Sequence, residues 1–358
     1  MKPLSFVIVG SGWRSLFFAR IAKQFPEQFD LKYMLCRSEE KAQELKEKYG
    51  LPSTTSEELC DEAKPDFVVV AIRSPYSFAY IKKWSGKGYP ILTETPAAGT
   101  VEDLKELWAM VQAGARIQVA EQYHRYPLMA AGLKAISDGK LGEPHMVHLS
   151  LAHGYHGVSM IRRMLQPENP MDLKLEYVTG MPYKHTVTET DSRYGAITDG
   201  STADYTRVVN VLQFSNGKTA YYDWSGVQYH SFIRSRHLSV KGQNGEWNDT
   251  MLRYVDENHL PVAEEVKAYL NPRYACLNTE DLRRQSREWN PFIVMDNGQD
   301  EYAIGSMMFD MRDYILNGTE VYPMAEALED AYVSMLMQQA AKQAGERLVP
   351  EKMPWMCD

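Results

Sequence analysis

Two short stretches hold residue types suited to proton chemistry. "TETP", residues 93–96, sets the Glu94 carboxylate and the Thr95 hydroxyl directly before a proline. "HGYHG", residues 153–157, sets two histidines three apart around Tyr155. Oxidation of an alcohol needs an acceptor for the hydride and a base for the hydroxyl proton. Imidazole suits the second task because it titrates near working pH. His156 is the first candidate for that base, and His153 and Tyr155 can supply a second group. Gly154 and Gly157 suggest a tight strand-to-helix turn, with "VSMIRRML" as the helix. A histidine at the positive end of that helix is favoured in the neutral form a base needs. His153 can equally do no more than satisfy a backbone carbonyl.

A metal reading of His145, His148, His153 and His156 is not favoured. On a strand His145 and His148 point to opposite faces, and no HExxH or carboxylate stands at ligand spacing. The expectation is no metal.

The elements that must position these groups are legible around them. "SFVIV", residues 5–9, is a continuous apolar run, as in a parallel strand covered on both faces. "GSGWRS" follows, then "LFFARIAKQF" with apolar residues at helical spacing. Gly10 permits a tight turn, and Gly12 lets backbone N–H groups approach a pyrophosphate at the helix start. Ser15 stands where a third glycine is usual. Further strands, "DLKYMLC", "DFVVVAI", "PILTET" and "RIQVAEQ", alternate with helical segments. That alternation predicts a parallel, doubly wound sheet.

In such a sheet ligands sit at the carboxyl ends of the strands. The expected cofactor-binding residues are therefore Gly10, Ser11, Gly12, Trp13, Arg14, Arg37, Ser38, Arg73, Ser74, Glu94, Thr95 and Gln122. The second strand ends at Cys36-Arg37-Ser38, without the carboxylate that usually holds an NAD ribose. Arg37 and Ser38 can instead hold a 2′-phosphate, which favours NADP over NAD. "EQYHRYP", residues 121–127, lies at the expected crossing between domains, where a cleft is the default ligand pocket. Tyr123, His124 and Arg125 are candidate substrate-binding residues there, or packing groups.

Downstream, "SNGK" at 215–218 signals a hairpin, and "GQNGE" at 242–246 a similar connection. The aromatics Tyr221, Tyr222 and Trp224 fit a core or subunit interface better than a sugar platform. Residues 184–206 are polar and read as a long loop or lid. "SFIRSRH" adds Arg234 and Arg236, either anion or hydroxyl contacts or ordinary surface charge. Two amphipathic helices, about 301–317 and 323–344, break at Gly318.

Composition excludes other classes. The chain has 358 residues, enough for two domains, with a net charge of -8 that disfavours a nucleic-acid surface. Four scattered cysteines (Cys36, Cys60, Cys276, Cys357) read as reduced thiols, consistent with a cytoplasmic protein. No apolar run approaches the ~20 residues of a membrane helix, and the N-terminus lacks a signal-peptide pattern.

Taken in order, "VIVGSGWRS", "RSEEKAQELKEKYG", "DFVVVAIRSPYSFAYIKKWSGKGYPILTETPAA", "QYHRYPLMAAGLKAISDGKLGEPHMVHLS" and "MFDMRDYILNGTEVYPMAEALEDAYVSMLMQQAAKQAGE" resemble the Gfo/Idh/MocA family of NAD(P)-dependent oxidoreductases. That family includes glucose–fructose oxidoreductase and inositol dehydrogenase. The resemblance implies a Rossmann domain over 1–122. Over 123–358 it implies an α/β domain with a large, open, mainly antiparallel sheet that forms a homodimer or homotetramer. It implies NAD or NADP as cofactor and a sugar, cyclitol or derivative as substrate. The chain departs from the family in three places. Thr95 replaces the lysine of Glu-Lys-Pro. Ala79 stands where a histidine usually follows the proline. Ala152 and Ser159 stand at acidic positions of the second-domain motif, while His156 matches its histidine. Two alternatives follow. One is a redox-neutral glycosidase or lyase that oxidises its sugar transiently, since one such group also lacks the lysine. The other is a nucleotide-sensing protein of the same fold without turnover.

Overall fold

The computed structural model describes residues 2–192, 195–277, 280, 282, 284 and 299–356. The chain divides into two compact units, Met1–Gln122 with Pro272–Leu328, and Tyr123–Asn271 with Glu329–Asp358. This corrects the expected assignment of 123–358 to one domain. Among the described residues of 272–328, Tyr274, Leu277, Tyr302, Ile304, Met307 and Met311 are buried in the first unit's core. Cys357 lies outside the described residues.

In the first unit the alternating pattern becomes β1 (Leu4–Val9), α1 (Trp13–Gln24), β2 (Phe29–Leu35), α2 (Glu39–Tyr49), β3 (Ser53–Thr54) and α3 (Glu57–Glu62). It continues through β4 (Phe67–Val70), α4 (Tyr76–Ser85), β5 (Ile91–Thr93), α5 (Val101–Gln112) and β6 (Ile117–Val119). Every pairing is parallel, and the strand order is β3-β2-β1-β4-β5-β6. This is the doubly wound dinucleotide-binding order, with its reversal between β1 and β4. All of β1 and β4 is buried, as continuous apolar runs require. β3 and α3 are additional to the expected elements.

In the second unit α6 (Pro127–Ser137), β7 (Pro144–Ser150) and α7 (Gly154–Leu165) precede a run of strands. These are β8 (Leu175–Thr188), β9 (Asp191–Ser192), β10 (Gly195–Ala196), β11 (Thr202–Phe214), β12 (Thr219–Ser225), β13 (His237–Gly242), β14 (Gly245–Asn248), β15 (Met251–Val255) and β16 (Pro261–Glu265). Seven of them join β7 in one eight-stranded sheet, in the order β16-β15-β14-β13-β7-β12-β11-β8, antiparallel except for the β7–β12 pair. The "SNGK" hairpin joins β11 to β12, and Asn216 and Gly217 both take positive φ (63° and 73°). Those are the angles that favour an Asn-Gly pair.

The long loop expected over 184–206 is corrected in part. Residues 184–188 extend β8 and 202–206 begin β11, in unbroken register from Thr202↔Thr188 to Tyr205↔His185. Met181, Pro182, Tyr183 and Lys184 are all exposed, so this part of β8 has no apolar alternation to betray a strand.

Two further helices, α8 (Gln299–Asn317) and α9 (Met324–Lys342), flank Gly318 at φ +71°. α8 packs on α1. Arg20 pairs with Glu301 at 2.7 Å, both buried, and Phe309 meets Phe25 and Phe29 edge-on at 5.5 and 5.3 Å. No described helix is long and apolar enough to cross a membrane.

Candidate active site

The first unit presents a cradle at the carboxyl ends of its strands. Gly10 sits at φ +125°, and a Cβ built there would lie 2.5 Å from the Ala71 carbonyl oxygen at the end of β4. Only glycine fits such a turn. Gly12 is different. Its φ is -84°, and a Cβ there meets no described atom within 4 Å. Ser15, in place of the third glycine, is fully buried and donates to the Ala71 carbonyl at 3.4 Å. Hence α1 still packs closely on the sheet.

The ends of the helices differ in a telling way. α2, α3 and α5 are capped by Ser38, Ser56 and Thr100 and carry two acids in the first turn. α1, like α4, has neither a side-chain cap nor an acid there. Its backbone N–H groups and positive end therefore suit an anionic group such as a pyrophosphate. The residues fit a dinucleotide on that ground.

Around this turn Ser11, Trp13 and Arg14 are half-buried, and Trp13 packs edge-on against Phe17. Arg37 is exposed at the end of β2. Ser38 beside it accepts the Lys41 N–H at 3.4 Å, so its hydroxyl caps α2. Arg73 is exposed and Ser74 half-buried after β4.

Glu94 is bound to a cation. The Arg14 guanidinium lies 3.6 Å from Glu94 and 3.7 Å from Asp300, and Gln122 donates to Asp300 at 3.2 Å. Glu94 also accepts the Thr95 N–H at 3.4 Å. Asp300 is additional to the expected site residues. It reaches Gln122 from 178 positions away, and no local pattern signals such a contact.

In the second unit α7 opens with His153 as N-cap, which puts His156 in its first turn. β12 and the hairpin leading into it hold the two ends of the helix. Gly154 N–H donates to the Tyr222 hydroxyl at 2.8 Å, and Lys218 Nζ donates to the Leu165 carbonyl at 2.7 Å. A Cβ on Gly157 would lie 2.6 Å from the Tyr222 ring, so glycine permits this approach. Arg162 anchors another face through a fully buried ion pair to Asp330 and a 2.8 Å bond to the Pro170 carbonyl. Tyr222 and Trp224 are buried while Tyr221 faces the opposite side, exposed.

His156 is buried. The Tyr123 ring lies 4.6 Å from it and the His153 ring 4.8 Å, edge-on. Tyr155 is buried at 5.8 Å. His153 is exposed, and its Nδ1 shares a hydrogen bond with the Tyr229 hydroxyl. Tyr229 in turn meets Trp224 edge-on at 5.1 Å. The structure thus brings His153, Tyr155, His156 and Tyr123 together and adds Tyr229. Arg125 is buried.

Both ring nitrogens of His124 are closed to solvent. Burial first, then the charges of Arg163 and Arg125, holds its pKa well below the ordinary 6.5. His124 is therefore neutral. Below pH 6.5 the unfolded chain binds a proton that the native protein does not. Stability is then full above about pH 6.5 and falls as the pH drops, by at most about 1.4 kcal/mol per unit. His124→Gln should flatten the fall in melting temperature between pH 7 and 5. An unchanged slope would remove His124 as its source.

Among the described residues no group of three metal-ligating side chains could hold an ion.

The fold and the cradle define a dinucleotide-binding Rossmann unit joined to a mixed-sheet unit. Residues 4–121 match the GFO_IDH_MocA family model, the oxidoreductase family with an NAD-binding Rossmann fold. YteT of Bacillus subtilis (strain 168) is 29% identical over 173 residues, 46% of this chain; the chain spans 40% of that protein's length. An oxidoreductase from Agrobacterium radiobacter, solved with NAD+, L-tartaric acid and magnesium, superposes with a TM-score of 0.71 at 12% identity. The match covers 97% of this chain and 98% of that one. The WlbA dehydrogenase of Bordetella pertussis, solved with NADH and UDP-GlcNAcA, gives 0.65 at 16% identity, covering 98% and 99%. At these identities the structures share the fold.

Proposed function

We propose that the protein is an NAD(P)-dependent oxidoreductase of the Gfo/Idh/MocA family. In this reading it acts on a hydroxyl or keto carbon of a sugar, cyclitol or sugar derivative. The observation that carries this reading is the open space over Gly12 at an uncapped helix start, beside the β1/β4 reversal. Bound NAD(P) would supply the hydride acceptor or donor. The chain's residues do the rest. The turn of Gly10, Ser11 and Gly12 binds the pyrophosphate, with Trp13, Arg14, Arg73, Ser74, Glu94, Thr95 and Gln122 around it. Arg14 is held by Glu94 and Asp300 at that rim.

His156 takes the hydroxyl proton at a ring nitrogen as the carbonyl forms, and returns it in the reverse direction. Tyr123 restrains its ring by a tilted contact at 4.6 Å, and His153 with Tyr229 provides an exit for the proton. Tyr123, His124 and Arg125 complete the assigned substrate-side group.

Arg37 is assigned to the 2′-phosphate of NADP. Arg37→Ala should weaken NADP binding roughly tenfold, the value of one charge-assisted contact, and leave NAD binding within twofold. Equal losses by fluorescence titration would refute the assignment.

Thr95 supports a second reading, a redox-neutral glycosidase or lyase that keeps its cofactor. Denaturing the purified protein and identifying released dinucleotide by mass and absorbance tests both. Stoichiometric NAD(H) points to the redox-neutral reaction. An empty site that binds added cofactor reversibly points to the conventional one. No binding of either form sinks the proposal. A homodimer or homotetramer through the second-unit sheet is also assigned. Its support is an outer face where Met181, Tyr183 and Tyr221 are 58%, 48% and 44% exposed.

A further inference from the structure

We propose that Arg236 is a specificity-determining residue that binds an oxoanion, a carboxylate or phosphate, on the sugar substrate. The inference rests on the oxidoreductase reading and narrows its substrates to anionic sugars.

Arg236 lies in the connection between β12 and β13, and Gln228 locks that connection. The buried Gln228 amide donates to the Ser150 hydroxyl at 2.9 Å, the Ser150 carbonyl at 3.2 Å and the Ser235 carbonyl at 2.9 Å. Its side-chain oxygen accepts the Ser225 N–H at 3.0 Å. The residue before Arg236 is thereby tied to the ends of β7 and β12.

The guanidinium is fixed as well, and not by a carboxylate. Its Nε donates to the Gln228 carbonyl at 3.2 Å and its Nη2 to the Tyr229 carbonyl at 3.3 Å. It lies 5.9 Å from the Trp224 ring and 6.0 Å from the Tyr229 ring. Aromatic faces hold arginine without neutralising it. The residue is exposed, and among the described residues Arg236 makes no ion pair. Ordering entropy, the usual penalty on a surface arginine contact, has been met within the fold. Five N–H donors in a planar fork leave several for an oxoanion.

The position matters as much as the charge. The Tyr229 ring beneath the guanidinium carries the hydroxyl bonded to His153, and His153 lies edge-on to His156. One aromatic side chain separates the anion site from the histidine pair. A sugar ring presenting an alcohol to His156 and an acidic substituent to Arg236 would be held at two points.

The test is calorimetric binding to the full chain saturated with NAD+. The probes are D-glucuronate, D-galacturonate and D-glucose 6-phosphate, against D-glucose and D-galactose. An anionic probe should bind roughly 10- to 100-fold more tightly than its neutral counterpart, with the gap narrowing as salt rises. The three anions tell carboxylate from phosphate. Arg236→Met should close the gap with NAD+ affinity and melting temperature unchanged, and Arg236→Lys should restore part of it. Equal binding of neutral and anionic sugars, or a gap that survives Arg236→Met, overturns the proposal. Failure of the underlying reading shows separately, as absence of dinucleotide binding in the preceding titration. The same sugars are then titrated against the full chain without cofactor, where an anion preference lost with Arg236→Met would keep this site while ending the oxidoreductase reading.

Discussion

Gly12→Val should raise the dissociation constants for both NAD(H) and NADP(H) about 100-fold or more, a loss near 2.7 kcal/mol, while the protein still folds. The reason is the asymmetry between the two glycines of the turn. At Gly12 the backbone is extended and a Cβ meets no described atom within 4 Å, so valine is expected to intrude on whatever approaches the helix. A poorer N-cap costs up to about 1 kcal/mol. Gly10→Val should do the opposite damage, because its Cβ strikes the Ala71 carbonyl at positive φ. That variant should lose melting temperature or fail to fold. Titration by protein fluorescence with thermal melts separates the two. If Gly12→Val binds cofactor normally, the cradle is not the dinucleotide site.

His156→Ala should lower kcat by roughly 10²- to 10⁴-fold, the usual contribution of a positioned general base. Cofactor affinity should stay within twofold, because no first-unit residue is altered. Restoration of part of the rate by added imidazole would identify the lost function as proton transfer. The ring lies between Tyr123 and His153 on a helix held at both ends, so its removal leaves the scaffold in place. Unchanged turnover would move the base elsewhere, with His153 next to be replaced.

The parts of the molecule that were legible in the sequence are those with local causes. Apolar runs such as Phe67–Val70 announce buried parallel strands, and the Gly10/Gly12 turn falls between one of them and a helix. Asn216-Gly217 announces its hairpin through its own dihedral preference. β3 has only two residues, too few for any period. The outer half of β8 hides its strand because consecutive residues face solvent. Long-range partners left no trace. Asp300 joins Arg14 and Gln122 through tertiary folding alone. Tyr229 meets His153 across 76 positions, and nothing local marks that tyrosine out from its neighbours. Arg236 was visible as a charge, but its anchoring on two carbonyls and two rings was not.

The return of α8 to the first unit has a consequence for biosynthesis. When residue 122 leaves the ribosome, all six strands of the parallel sheet exist, but the helix that covers α1 is still some 180 codons away. Until then Arg20 has no Glu301, and Phe25 and Phe29 have no Phe309. The nascent unit must wait with an apolar flank and an uncompensated cation, the condition in which chaperones capture chains. A fragment ending at residue 122 should accordingly emerge as an aggregation-prone client, and co-expression of residues 272–328 should be what rescues it.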